Sequence, residues 1–276
     1  KMKARFIVLL SAVMLGSGAF AQDCQTTAAL AYDDAKAKNY DAAYEPLMKV
    51  KDECPDYSLA TFQYLAMALN YKIGKATGDE KTKYINELID VYKGRLEHYP
   101  EKTKKGDIYG DIALLKFTHK IGSTEDRFNA FDKAYTEDKE NFTSPKGLYA
   151  YFDLMVNMQD AGERELQDVF DIYDRVMAKI EEEEINEADR LQPLIEKQDA
   201  GEDLTSKEQR AAQIAEQRLT NFNAVKNALN AKLGARADCD NLVPLYEKDF
   251  EAKKEDVSWL RNANARLSAK DCEDPL

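Results

Sequence analysis

Apolar side chains recur every three or four positions along most of this chain, in blocks separated by short polar turns, and that period predicts amphipathic α-helices. In "SLATFQYLAMALNYKIG" the residues Leu59, Phe62, Ala66, Leu69 and Ile73 fall at i, i+3, i+7, i+10 and i+14, while Tyr64, Met67 and Tyr71 make a second stripe. A helix apolar on two sides is sandwiched between neighbours. "TKYINELIDVYKGRLEHYPE" sets Ile85, Leu88, Ile89, Tyr92 and Leu96 on one face, and "DRFNAFDKAYTEDKEN" repeats the period with Phe128, Phe131, Ala134 and Tyr135. After Ser144-Pro145, an N-cap and first-turn pair, come "KGLYAYFDLMVNMQDAG" and "ERELQDVFDIYDRVMAKIEEEE". In these, Leu148, Tyr151, Phe152 and Met155 face one neighbour and Val169, Phe170, Tyr173 and Val176 another.

The helices group into pairs. "YDAAYEPLMKVKDECPD" carries Tyr40, Ala43, Leu47, Val50 and Pro55 at the spacing of the second helix of a tetratricopeptide repeat (TPR). Ala43 allows two helices to approach closely, and Pro55 stops the second because it has no amide to donate. Pro46 is expected in the first turns, where a missing donor costs little. The interval from Pro55 to Pro100 exceeds the usual repeat of about 34 residues, so the second pair is expected to have extended helices. Four consecutive pairs predict an all-α fold, a right-handed α-solenoid of TPR-like hairpins, over residues 22–183.

The apolar pattern then breaks. Residues 184–206 lie in a charged stretch with few apolar anchors, "EEEEINEADRLQPLIEKQDAGEDLTSKEQR", expected either as an exposed insertion whose helical pieces project from the stack or as a partly mobile linker. Over residues 207–276 a long helix, opened by Ser206 as N-cap and buried through Ala211, Ala215, Phe222, Val225, Leu229 and Leu233, precedes one further hairpin.

Residues 1–21 have three early positive charges, an apolar run over residues 6–15 and a small-residue end, the order of a secretory signal peptide. The run is too short for a membrane span of about 20 residues. Cleavage before Gln22 is expected, giving a product without direct membrane insertion, secreted across the inner membrane into the periplasm. The whole chain has 39 basic and 51 acidic residues, a net charge of −12; losing Lys1, Lys3 and Arg5 deepens it to about −15. Such a chain repels nucleic acid, and no basic stripe offsets that.

Four cysteines in an exported chain are expected to pair, with three connectivities open. Spacing selects Cys24 with Cys54 and Cys239 with Cys272, because each pair opens and closes one hairpin whose two ends lie side by side. A zinc site would need two closely spaced pairs. His98 and His119 have no companion motif, and no nucleophile elbow, metalloprotease helix, phosphate loop or nucleotide fingerprint is present. The expectation is therefore no catalytic residue, no cofactor and no metal.

"KNYDAAYEPLMKVKDECPD", the "DC" after the leader, "DCDNLVPLYEKDF" and "WLRNANARLSAKDC" resemble periplasmic TPR proteins of Bacteroidota-type bacteria. The relatives implied continue into further repeats, so the chain is expected to be truncated at its C-terminal end. Stacked hairpins form a superhelical scaffold whose inner groove suits another protein or peptide of the cell envelope, with Gln63, Asn70 and Tyr71, polar and aromatic positions between core stripes, as candidate groove residues. A stable subunit of an envelope secretion or outer-membrane assembly complex, docked through the charged insertion, is the alternative. The helical part of a peptidoglycan-acting enzyme is a third reading.

Overall fold

The computed structural model describes residues 17–272, and of residues 17–22 and 258 the backbone alone. The expected leader lies for the most part outside the described residues. Every regular element among those described is helical: eleven α-helices and two single 3-10 turns. None of them is long and apolar enough to cross a membrane. The described residues divide into two compact units, one up to Ile108 and one from Tyr109 onward.

The first unit holds α1 (Ser17–Lys36), α2 (Tyr40–Glu53), α3 (Leu59–Lys75) and α4 (Gly78–His98). Each helix packs on the next in chain order, and α1 also touches α3. The α1–α2 contact is built from small residues: Ala28, Ala31 and Ala35 are buried, as are Ala43, Leu47 and Val50. Ser58 caps α3 by accepting from the Ala60 amide at 3.2 Å. The buried face of α3 is Phe62, Leu65, Leu69 and Ile73, with Thr61 and Ala68; Leu59 and Ala66 of the expected stripe are only half-buried. Pro46 departs from expectation. It stands in the second turn of α2, past the amides that lack partners in any helix, so its missing N–H forfeits one internal hydrogen bond. Pro244 repeats that placement in the helix that follows Asp238.

Close approach in this unit is set at Gly94 of α4. A Cβ there would stand 2.7 Å from Cε1 of Phe62, a ring that is 1% exposed. Alanine would gain helix propensity of about 1 kcal/mol. The overpacking costs about 1–3 kcal/mol. Gly94→Ala is therefore expected to lower stability, and a second substitution, Phe62→Leu, to relieve it; urea unfolding of the single and double variants checks both.

The second unit takes in most of α5 (Lys105–His119), then α6 (Thr124–Glu137), α7 (Pro145–Asp160), α8 (Leu166–Asp199), α9 (Ser206–Gly234), α10 (Cys239–Lys253) and α11 (Val257–Ala269). Ser123 and Asp126 form a reciprocal capping box on α6, and Ser144 accepts from the Gly147 amide to cap α7 as expected. An aromatic core of Phe131, Phe142, Tyr151, Phe152, Phe170, Phe222 and Tyr246 runs through the unit. Phe142 seats its ring against Gly110 and Gly147, where added Cβ atoms would come within 3.0 and 2.9 Å. Tyr151 buries its hydroxyl beside Asp132, to which it donates at 2.5 Å, and Arg175 donates to both at 2.7 and 2.9 Å. Burial, with the Asp132 contact second, pushes the Tyr151 phenol far above its ordinary value.

Helix α8 is 34 residues long and lies against both α7 and α9. The residues expected as a charged insertion, 184–206, are its distal part, the turn after it and the first residue of α9. The N-cap of α9 is Thr205 rather than Ser206. Ala215, Phe222, Leu229 and Leu233 are buried, Val225 is half-buried and Ala211 is exposed. Helices α10 and α11 reach α8 through Phe170, whose ring lies 6.2 Å from that of Tyr246 and under the guanidinium of Arg266 at 4.8 Å.

Candidate interaction surfaces

On α3, Gln63, Met67 and Asn70 stand at i, i+4 and i+7 and are exposed, opposite the face that Leu65 and Leu69 bury. Met67 is 47% exposed, a large apolar side chain between two amides. Asn70 donates to its own helix, to the Ala66 carbonyl at 2.9 Å. Tyr71 differs from these two. It is half-buried, its ring lies 5.3 Å from that of Tyr40, and it accepts from Lys75, whose ammonium also sits over the ring at 4.1 Å. Tyr71 therefore belongs to an aromatic seam between α2 and α3 rather than to the open face. That seam continues inward. Lys72 lies 4.8 Å from the ring of Tyr44 and 5.0 Å from that of Tyr84, and pairs with Asp41 at 3.3 Å. Burial pulls the Lys72 ammonium down, but the Asp41 and Tyr84 contacts outweigh it and leave it above its ordinary value.

The four cysteines lie pairwise at the ends of their hairpins. Cys24 and Cys54 have Cα atoms 6.5 Å apart, Cys239 and Cys272 5.4 Å apart, within the span of a disulfide, and both pairs are joined in the structure. Cys54 caps α2, whereas Cys24 sits in the second turn of α1, which begins at Ser17. His98, at the end of α4, is held by Asp56 at 2.7 Å and stacks on Phe62.

A charged seam that the sequence reading missed runs between α8 and α9. Lys179, Glu183 and Glu187 stand at i, i+4 and i+8 and are all buried, Lys179 fully. Lys179 pairs with Glu183 at 2.8 Å and Glu182 at 2.9 Å; Arg218 of α9 reaches Glu187 at 2.6 Å and Glu183 at 3.3 Å. Two carbonyls of the connector before α7 complete it, Glu140 accepting from Lys179 and Thr143 from Arg218. Between Glu187 and Arg218, every hydrogen bond and ion pair of residues 188–217 found among the described residues stays within α8, α9 and their turn. This distal hairpin is an arm. It carries Ile195 and Ile214 at about half exposure.

The arm's tip is fastened by Glu208, which accepts from the Thr205 hydroxyl and amide at 2.7 Å each and from Lys197 at 3.0 Å. The Thr205 contacts foremost, with Lys197, hold its carboxyl down at about 2, against an ordinary 4.5. A depressed carboxyl contributes stability above its unfolded value and loses it as pH falls through the folded one. Amide exchange at the tip is expected to quicken between about pH 4.5 and pH 2 beyond the intrinsic rate, and Glu208→Gln to remove that dependence.

No family model matches the chain, and no curated protein does. Among solved structures it is similar to a tetratricopeptide repeat protein from Parabacteroides merdae, with a TM-score of 0.39 and 15% identity over 92% of this chain and 81% of that one. It is also similar to a thermophilic TPR protein of Thermus thermophilus, with a TM-score of 0.35 and 16% identity over 57% of this chain and 74% of that one. What this chain displays on its own account is an all-helical architecture in which α1 to α4 pack in chain order in the first unit, while in the second α6 to α9 pack in chain order with α7 also against α9, and α10 pairs with α11.

Proposed function

We propose that this protein is a non-catalytic scaffold that is exported to the bacterial cell envelope and holds a segment of another protein there. The observation that carries the reading is the outward face of α3: an exposed methionine flanked by Gln63 and Asn70, on a helix whose other sides are fixed in the core. A rigid helix offering a polarizable apolar side chain between amides suits a peptide, with the apolar contact giving affinity and the amides register. The net charge of −12 opposes nucleic acid as the partner. Cysteines placed to bridge fit an oxidising compartment, and therefore export.

The test is photo-crosslinking in intact cells from a reactive amino acid placed at Gln63 or Asn70. A single defined envelope protein captured at both positions is the expected result. Adducts with cytoplasmic proteins alone, or none above a control position such as Lys93, would refute the reading.

A second reading, permanent assembly through the arm, is favoured by the half-exposed Ile195 and Ile214. Replacing residues 192–213 with a short glycine-rich turn spares the charged seam and removes the tip. If the arm docks an assembly, that variant keeps its thermal stability within about 2 °C and loses co-purification of the complex.

A further inference from the structure

Between α8 and α11 lies an open cleft of about 340 Å³, lined by Tyr173, Asp174, Met177, Glu181, Asn262 and Arg266 with a floor of Ala178, Ala265 and Ala269. Its size falls at the low end of ligand pockets, with room for one long side chain and a neighbour rather than a drug-sized molecule. The three alanines make that room, since nothing beyond Cβ projects from them. Met177 adds an apolar wall.

The charge of the lining is unbalanced. Arg266 is committed inward: it pairs with Asp174, covers Phe170 and Tyr173 with its face at 4.8 and 5.3 Å, and also donates to the Tyr246 hydroxyl at 3.1 Å. Asp174 takes a second bond, from Asn262 at 3.1 Å. Glu181, exposed at the mouth, enters none of the ion pairs or hydrogen bonds found among the described residues. The cleft thus holds two carboxylates against one guanidinium. Burial raises the Asp174 carboxyl in spite of Arg266.

We propose that this cleft is a second binding site, which takes a lysine or arginine side chain from a basic segment of a partner protein, its charged head beside Glu181 and its stem along Met177, Ala178, Ala265 and Ala269. The reading rests on the scaffold function above only in that the occupant is a protein segment. Long cationic side chains cover apolar surface with their stems while the head keeps a polar partner, which is the combination the lining offers. A carrier of net charge −12 also draws a basic partner from a distance.

The probe is a fluorescently labelled nine-residue alanine-leucine peptide with one central arginine, compared with its citrulline twin, which has the same shape and no charge. Fluorescence anisotropy with the full chain is expected to show at least fivefold tighter binding of the arginine peptide in 20 mM salt. Glu181→Gln is expected to reduce that preference below twofold, and Ala265→Trp, which fills the floor from an exposed position, to abolish binding with the circular dichroism melt unchanged. Equal affinity for the two peptides, no binding of the arginine peptide at 1 mM, or a preference that survives both substitutions would overturn the proposal. Crosslinking from Gln63 in cells carrying Ala265→Trp separates the two readings. A partner still captured there while the arginine preference fails leaves the scaffold standing without this cleft; an arginine preference with no captured partner does the reverse.

Discussion

Arg218→Met is expected to destabilise the second unit by about 3–5 kcal/mol, the range for breaking a buried ion pair by removal of one partner. Glu187 is 1% exposed and Glu183 3%, so the substitution leaves two carboxylates out of water with one donor fewer each, and it strips the Thr143 carbonyl of its guanidinium as well. The seam as a whole contributes much less than that figure. Taking Lys179, Glu183, Glu187 and Arg218 together to Met, Leu, Leu and Met replaces every buried charge with an apolar side chain of similar volume, and such replacements are neutral or stabilising by about 1–4 kcal/mol. Urea unfolding of the single and the quadruple variants decides the matter. If the quadruple variant is as unstable as Arg218→Met, the seam contributes net stability; if it is as stable as the native chain but α8 and α9 slide past one another, the charges act to fix the register of a long hairpin that apolar contacts alone would leave free.

The second large effect is expected at the cysteines. Bridges closing segments of 30 and 33 residues each stabilise by about 3.5 kcal/mol in the chain-entropy account. Replacing Cys24 and Cys54 with serine should therefore lower the melting temperature of the first unit by about 10 °C or more, and replacing Cys239 and Cys272 should do the same for the second. Reductant should reproduce each loss in the native chain and change nothing in the chain lacking all four. Differential scanning calorimetry with and without reductant resolves the two units. A native melt indifferent to reductant would show that the thiols stand near one another unjoined.

How far the fold could be read in advance is clearest from particular helices. The period of apolar residues located α3, α4, α6 and α7 because each buries a stripe of Leu, Ile and aromatic residues, and the Ser144-Pro145 and Pro55 signals marked ends by their local chemistry. The same rule misread the stretch after Lys179. There the buried face is Lys179, Glu183, Glu187 and Leu191, a helical stripe at four-residue spacing in which three of four members are charged. Counting apolar residues scores it as surface. Burial of these charges depends on Arg218, 31 residues past Glu187, and on carbonyls of the Glu140 and Thr143 connector, which no local window contains. The candidate surface was legible in part for a similar reason. Gln63 and Asn70 are polar positions between core stripes and are exposed, but Tyr71 is turned into a seam by Tyr40, a partner on the preceding helix. The cleft between α8 and α11 left no mark in the sequence, because its lining comes from two segments some 90 residues apart and its defining property is the room left by alanines.

Because residues 188–217 of the arm, among the described residues, are bonded only within α8, α9 and their turn, the length of the arm is under little constraint from the rest of the unit. Insertions or deletions can accumulate there provided the two limbs of the hairpin change together, by about seven residues each so that inward positions return to the inward side. A change in one limb alone would rotate its partner face out of contact. Among homologous chains the reach of this hairpin should accordingly vary in paired heptad steps, while the stretch from Lys179 to Glu187 and the connector before α7 keep a fixed length.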